Sequence, residues 1–415
     1  MSTPQRNDRP RGRSFFFNPG PTNIPDSVLG AMHRPTMDFF APEFLEIFNS
    51  VHASVKRVLK TKQHMLMYAS NGHGAWEAGL ANLLKSGEKV LVLESGRFSA
   101  SWGDMATSLG LEVETLAADW RIGVKPEALT ERLRKDGKAE IKAILVVHNE
   151  TSTGVATPVG DMRKAIDAAR HPALLLVDTI SSLGSLDFRM DDWGVDIAVG
   201  GSQKGLMMVT GLAFTGISEK AMAQWKAEAG KGGMRRSYWD WSEMLTHAPQ
   251  RFPGTTPVHL FFGLEQSLKL MEEEGLDAVF RRHSRFAKAV RAAVSHWGEG
   301  KRSKATLNLK GLSGSVGAIE LLCADPARAS DSVSAIMLPD GIDGNLMRKI
   351  AQDRFNLSLG GGLGPLAGKA FRIGHMGDLN EPMLLGALAT VELAMRAAKV
   401  PHKPGAVNAA IDALG

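Results

Sequence analysis

Four residue types stand where packing alone does not explain them. Asp178 ends the apolar run Ala173–Asp178 (ALLLVD). A carboxylate at the end of a buried strand needs a partner. It either caps the next element, helped by Thr179 and Ser181, or pairs with a cationic ring nitrogen of a cofactor. Lys204 closes the segment Gly-Gly-Ser-Gln-Lys at residues 200–204, just after another apolar run. A desolvated lysine gives up its proton more easily and becomes a nucleophile toward aldehydes; a loop lysine snorkelling to solvent is the plainer reading. Asp178 and Lys204 at the ends of neighbouring strands shift that balance. Together they offer what pyridoxal 5'-phosphate (PLP) requires: an amine for the aldehyde and a carboxylate for the pyridinium nitrogen.

Such a cofactor also needs an anion site. Ser70-Asn71-Gly72-His73-Gly74 precedes an apolar helix beginning near Ala75. Glycines there let backbone N–H groups approach a phosphate at the helix N-terminus, although an ordinary helix start has the same look. His73 alone reads equally as a structural hydrogen-bonder, and Phe98 as core or as a ring-stacking aromatic. Arg372, inside the apolar stretch Lys369–His375, calls for a bidentate carboxylate. That carboxylate is either an internal partner or the substrate's.

The elements that must place these groups are legible as a pattern. Val90–Glu94, Ile144–His148, Leu174–Asp178 and Asp196–Gly200 read as buried strands. Amphipathic helices, including Lys125–Lys135 and Val159–Arg170, alternate with them. This predicts an α/β fold with a parallel sheet covered on both faces, its ligands at the carboxyl ends of the strands. Pro257–Trp297 reads as one long helix leading to a smaller C-terminal domain. Strands at Ser332–Leu338 and Lys369–Ile373 and helices at Gly344–Arg354 and Glu381–Lys399 are predicted there. Residues 299–318 read as a hairpin or loop on that domain.

Composition bounds the rest. The 415 residues suggest more than one domain. The reading divides them into a mobile tail (1–16), a large domain (17–285) and a small one (286–415) with an inserted loop near 299–318. The N-terminal part of the large domain is allowed to pack on the small one. One cysteine, Cys323, excludes an intrachain disulfide, and neither a membrane span nor an apolar leader is visible, so cytoplasm is the expected compartment. The net charge of +5 resides in residues 1–14 and 299–318, each net +3, which leaves the remainder near neutral. Nucleic acid is therefore not an expected partner.

The order and spacing of the motifs resemble the class V aminotransferases of PLP fold type I, in particular the serine–, alanine– and aspartate–glyoxylate aminotransferase group. The resemblance runs from about Phe17 to the C-terminus. It rests on Pro19–Asn23 (PGPTN), Asn71–Gly74 (NGHG), His148–Gly154 (HNETSTG), Val177-Asp178, Gly201–Lys204 (GSQK) and Phe371–Gly374 (FRIG). It implies a large domain with a mainly parallel seven-stranded sheet between helices, a smaller α+β domain, and a homodimer with its sites at the subunit interface. Lys204 would carry PLP as a Schiff base and shuttle the substrate proton. Asp178 would keep the ring nitrogen protonated. Asn71, Gly72, His73 and Gln203 would hold the phosphate, with Thr255 reaching across from the second subunit. Thr151 would contact the ring hydroxyl region, Phe98 would stack on the ring, and Arg372 would bind the substrate carboxylate.

The implied reaction is ping-pong transfer of an amino group from serine, alanine or aspartate to glyoxylate or a similar small 2-oxo acid. Pyridoxamine–pyruvate transamination, a PLP lyase reaction and a non-catalytic binding role are the competing readings. Three departures bear on specificity. Phe39, Phe40 and Ala41 stand where close bacterial relatives tend to carry His-Arg-Ser. Gly254 replaces a tyrosine or histidine. Residues 299–318 look inserted. If Phe39 and Phe40 line the pocket, they disfavour a dicarboxylate.

Overall fold

The computed structural model describes residues 12–228, 233–246 and 252–415. Its strands, in chain order, are β1 (Phe15–Phe17), β2 (His64–Ser70), β3 (Lys89–Leu93), β4 (Glu112–Leu116), β5 (Ile141–Val147), β6 (Leu174–Asp178), β7 (Ile197–Gly201) and β8 (Gly211–Ile217). A second group follows, with β9 (Glu320–Leu321), β10 (Val333–Met337), β11 (Leu357–Gly361) and β12 (Ala370–Gly374). The first sheet has seven strands in the order β2-β8-β7-β6-β5-β3-β4. Only β8 runs antiparallel to its neighbours.

Helices Arg97–Ser108, Pro126–Arg134 and Val159–Ala168 make the crossovers that parallel pairing demands. Both faces of the sheet are covered. Leu175 and Val177 of β6 join one apolar cluster, while Leu174 and Leu176 join the cluster on the other side. This is why the strand reads as an unbroken apolar run. The catalytic candidates then fall where the apolar run ends, at the carboxyl edge.

The second sheet, ordered β1-β11-β12-β10-β9, packs on helices Leu276–Trp297, Glu381–Ala397 and Ala406–Leu414. Its first strand comes from the N-terminal end of the chain: Phe15–Phe17 pair in parallel with Leu357–Leu359. Phe15 and Phe16 fall in the stretch expected to be tail (1–16) and Phe17 at the expected start of the large domain, whereas residues 1–11 lie outside the described ones. The segment expected as one long helix at Pro257–Trp297 is two, Val258–Glu274 and Leu276–Trp297. Gly275, at φ +84°, separates them in a conformation that a side chain would strain.

Residues 299–318 contain the expected hairpin, Thr306–Asn308 with Gly311–Ser313. It is not confined to the small sheet. The backbone N–H of Trp120 donates to Leu307 O (2.7 Å), and Asp119 Oδ1 accepts from the Leu307 N–H (3.0 Å). Leu307 packs on the buried Trp120 indole. Among the described residues, no helix is long and apolar enough to cross a membrane.

Candidate active site

The seven-stranded sheet delivers its loops to one cavity of about 260 Å³. Asp178 reaches it from the end of β6, and Lys204 from the turn that follows β7. Asn71, Gly72 and His73 line it from the N-terminus of helix Gly72–Leu83, Phe98 from the first turn of helix Arg97–Ser108, and Thr151 and Gln203 from loops.

The helix start at Gly72 has a local cause. Asn71 is the N-cap, and its side-chain oxygen accepts from the His73 N–H (3.0 Å). The Gly74 N–H turns back to Asn71 O (3.1 Å), and Gly72 and His73 line the cavity at this helix N-terminus, where the dipole favours an anion. Gly72 leaves room for Ile180, since a Cβ there would lie 2.0 Å from Ile180 Cδ1 and would displace that side chain. The ring of His73 rests on Trp76 with centroids 4.5 Å apart, and partial burial holds its pKa below the ordinary value.

Electrostatics set the two central groups against their ordinary charges. Burial pushes the Asp178 carboxyl up to about 7. The Ile180 N–H, donating at 2.6 Å, opposes this, the negative Glu150 adds to it, and Lys204 opposes it. Burial pushes the Lys204 amine down to about 8; the Arg372 charge adds to this and Asp178 opposes it. The Lys204 ammonium donates to Pro19 O, and its own carbonyl accepts from Thr22 Oγ1 at 3.0 Å. A Cβ on Gly20 would fall 2.1 Å from Lys204 Nζ. The Pro19–Asn23 motif therefore forms the wall against which the lysine lies.

Arg372 does not line the cavity but stands directly behind it. Its Nε donates to Gly361 O (2.8 Å) and one terminal nitrogen to Thr151 O (2.9 Å). Burial lowers its pKa to about 10, against the pull of Glu150. It makes no direct ion pair with a carboxylate among the described residues. Thr255 is exposed and apart from this cavity. Phe39 and Phe40 pack on each other at 4.4 Å, Phe40 is 59% exposed, and neither lines the cavity. Gly254 (φ +72°) is likewise on the surface. His148, the other titratable residue expected at a strand end, turns away. Its Nδ1 meets Ser182 Oγ at 2.9 Å, its ring lies between Phe188 and Trp193, and burial pushes its pKa down to about 4.

The structure adds cavity residues that carried no site role in the sequence, chiefly Trp76, Asn149 and Ile180, together with Ser181, which was read only as a capping helper. Trp76 was indistinguishable from core in an apolar helix. Asn149 lay inside the His148–Gly154 motif, and its chemistry shows only in three dimensions. Its amide nitrogen donates to Ser181 Oγ and Ser332 Oγ, both at 2.8 Å. The Ser181 hydroxyl proton is committed to Asn149 O (2.7 Å), so that serine can only accept from the amide. Asn149 Oδ1 is left buried without a donor, as is Gln203 Oε1. A neutralisable lysine, a buried carboxylate, an aromatic face and a helix N-terminus about one cavity fit PLP.

Comparison with known proteins agrees with this geometry. The family model for aminotransferase class-V matches residues 14–308. The serine–glyoxylate aminotransferase of Methylorubrum extorquens is 42% identical over 402 residues, covering 96% of this chain and 95% of that protein. The L-aspartate–glyoxylate aminotransferase of Paracoccus denitrificans is 42% identical over 397 residues, covering 95% and 94%. The crystal structure of pyridoxamine–pyruvate aminotransferase from Mesorhizobium loti superposes with a TM-score of 0.85 at 27% identity, covering 100% of this chain and 99% of that one. The fold is that of the PLP fold type I aminotransferases, and the chain belongs to the class-V aminotransferase family.

Proposed function

We propose that the protein is a PLP-dependent aminotransferase that moves the amino group of serine, alanine or aspartate to glyoxylate in two half-reactions. The observation that carries this reading is the pairing of Lys204 and Asp178 in one cavity, each with its proton affinity moved toward neutrality. Relatives named for serine–glyoxylate and aspartate–glyoxylate transfer support the substrate class. When bound, PLP supplies an electron sink for the bond broken at the substrate Cα.

The chain's own residues do the rest. Asn71, Gly72, His73 and Gln203 hold the phosphate, and Phe98 covers the ring face. Asp178 keeps the ring nitrogen protonated. Lys204 would anchor the cofactor through its amine and would take and return the substrate Cα proton as general base and acid. Arg372 orients the substrate carboxylate with its remaining N–H groups. The working unit is a homodimer in which Thr255 of the second copy completes the phosphate site, and the compartment is the cytoplasm.

Feeding amino acids labelled with nitrogen-15 together with glyoxylate, and following labelled glycine by mass spectrometry, tests the reading. Label should pass from at least one of the three donors, and Lys204→Ala should lower the rate by at least about 10³-fold. Label passing only to pyruvate, or undiminished transfer in Lys204→Ala, would overturn it.

A further inference from the structure

Glu150 is wholly buried between the cavity-lining Asn149 and Thr151 without lining the cavity itself; among the described residues it is paired with no cation, and it has no part in the chemistry above. Its carboxylate is filled with donors instead. Oε2 accepts from the Phe98 and Ser99 N–H groups, both at 3.1 Å, and Oε1 from the Ser152 N–H (3.0 Å) and Ser152 Oγ (2.6 Å). Ser152 Oγ in turn accepts the Arg97 N–H at 2.9 Å. Glu150 and Ser152 thus take three consecutive orphan N–H groups from the first turn of helix Arg97–Ser108.

This cap is supplied in trans, from the short hairpin after β5 in which Asn149–Glu150 pair with Val155–Ala156, rather than from the residue preceding the helix. That residue is Gly96, and here only glycine fits. A Cβ on it would stand 2.4 Å from Glu150 Cγ and 2.5 Å from Ser152 Oγ. The helix so capped presents Phe98 to the cavity. The capping loop presents Asn149 and Thr151, and the Thr151 carbonyl holds Arg372. One carboxylate therefore joins the aromatic wall, the polar wall and the arginine. Burial pushes the Glu150 carboxyl above its ordinary pKa, and the donors from Ser152, Ser99 and Phe98 oppose that shift.

We propose that Glu150 is a positioning residue for the reaction, fixing the Phe98 ring against the cofactor and holding the loop that carries Thr151 in register with Arg372. This rests on the reading of the cavity as a PLP site. Glu150 also sits in the field of both Asp178 and Arg372, so removing its charge alters the acid–base balance of the site as well as its shape.

The test compares wild type with Glu150→Gln, which keeps the shape but turns an NH₂ group toward N–H donors, and with Glu150→Asp, which keeps the charge on a shorter stem. Hydrogen exchange at the Phe98 and Ser99 amides of the cofactor-free proteins reads the cap itself. The visible circular dichroism of bound PLP reads the ring's pose. In Glu150→Gln, exchange at these two amides should rise at least tenfold, the cofactor band should weaken, and kcat should fall more than KM rises. Glu150→Asp should recover part of all three. Wild-type exchange at both amides in a folded Glu150→Gln would overturn the proposal. So would faster exchange with an unchanged cofactor band and an unchanged kcat. A Phe98→Leu variant separates the two readings. If it leaves PLP affinity and the cofactor band untouched, the placement of Phe98 on the ring fails, while the exchange result still decides the capping role.

Discussion

Lys204 and Asp178 are placed where each pays a desolvation cost, and the direction of each shift has a measurable sign. In the folded chain the lysine sheds its proton near pH 8 rather than near 10.5. Between those values the unfolded state binds the extra proton, so this group's contribution to stability improves as pH rises from about 8 to 10.5. Asp178 has the opposite sense: its folded value near 7 exceeds the ordinary 3.8, and its contribution falls as pH rises from about 3.8 to 7. The neutral amine is the nucleophile, so PLP capture by the cofactor-free protein should accelerate with pH and level off above about 8. Stopped-flow absorbance across pH 6–10 measures this, and a flat profile would contradict it. Both residues were legible in the sequence because each follows an unbroken apolar run. Their altered proton affinities were not, because burial and neighbours such as Arg372 and Glu150 come from elements far away in the chain.

At the scale of elements, the cavity depends on glycines that let backbone and side chain interleave. Gly72 is the clearest case: with Ile180 Cδ1 2.0 Å from any added Cβ, Gly72→Ala must push Ile180 into the cavity or unwind the helix start. PLP affinity should drop at least tenfold, measured by equilibrium dialysis, with little change in the melting temperature of the cofactor-free protein. Of the strands read from sequence for the large sheet, Leu174–Asp178 recurs with the same ends and the other three shift by one to three residues, Val90–Glu94 becoming Lys89–Leu93, Ile144–His148 becoming Ile141–Val147 and Asp196–Gly200 becoming Ile197–Gly201. Three strands of the same sheet carried no such signal. β2 carries two methionines between a His and a Ser, β8 holds two glycines and β4 is polar along the sheet edge, so none has the Val/Ile-rich look of the central strands. The break at Gly275 was equally hidden, because the apolar spacing on either side continues through it.

At the scale of the molecule, the two sheets are tied together by a buried ion pair. Arg121 lies in the segment after β4, and Glu320 is in β9 of the second sheet. They meet at 3.1 Å, with side chains 3% and 2% exposed. Arg121 also donates to Leu322 O, Ala305 O and Ser303 Oγ, and Trp120 next to it donates to Glu94 Oε1 (2.6 Å) at the end of β3. Segment 299–318 is thereby part of the clamp between the sheets, a role its Gly/Ser/Lys-rich composition did not disclose. Glu320→Ala should destabilise the protein by about 3–5 kcal/mol, because it strands a buried guanidinium. Thermal or urea denaturation measures the loss, and a change below about 1 kcal/mol would refute the clamp. The Pro19–Asn23 wall, the 71–73 turn and Arg372 could each be picked out along the chain. Their convergence follows from a strand order that no linear pattern reveals.

The central claim is that one cavity holds PLP on Lys204 and exchanges amino groups through it. The most direct measurement is half-reaction spectroscopy on the PLP-loaded protein, adding L-serine, L-alanine and L-aspartate separately and following the cofactor's visible absorbance. The expected result is that at least one of them converts the cofactor from its aldehyde-level form to the amine form, and that glyoxylate then restores the starting spectrum and yields glycine. A cofactor spectrum unmoved by all three amino acids, or an amine form that glyoxylate cannot return, would contradict the account.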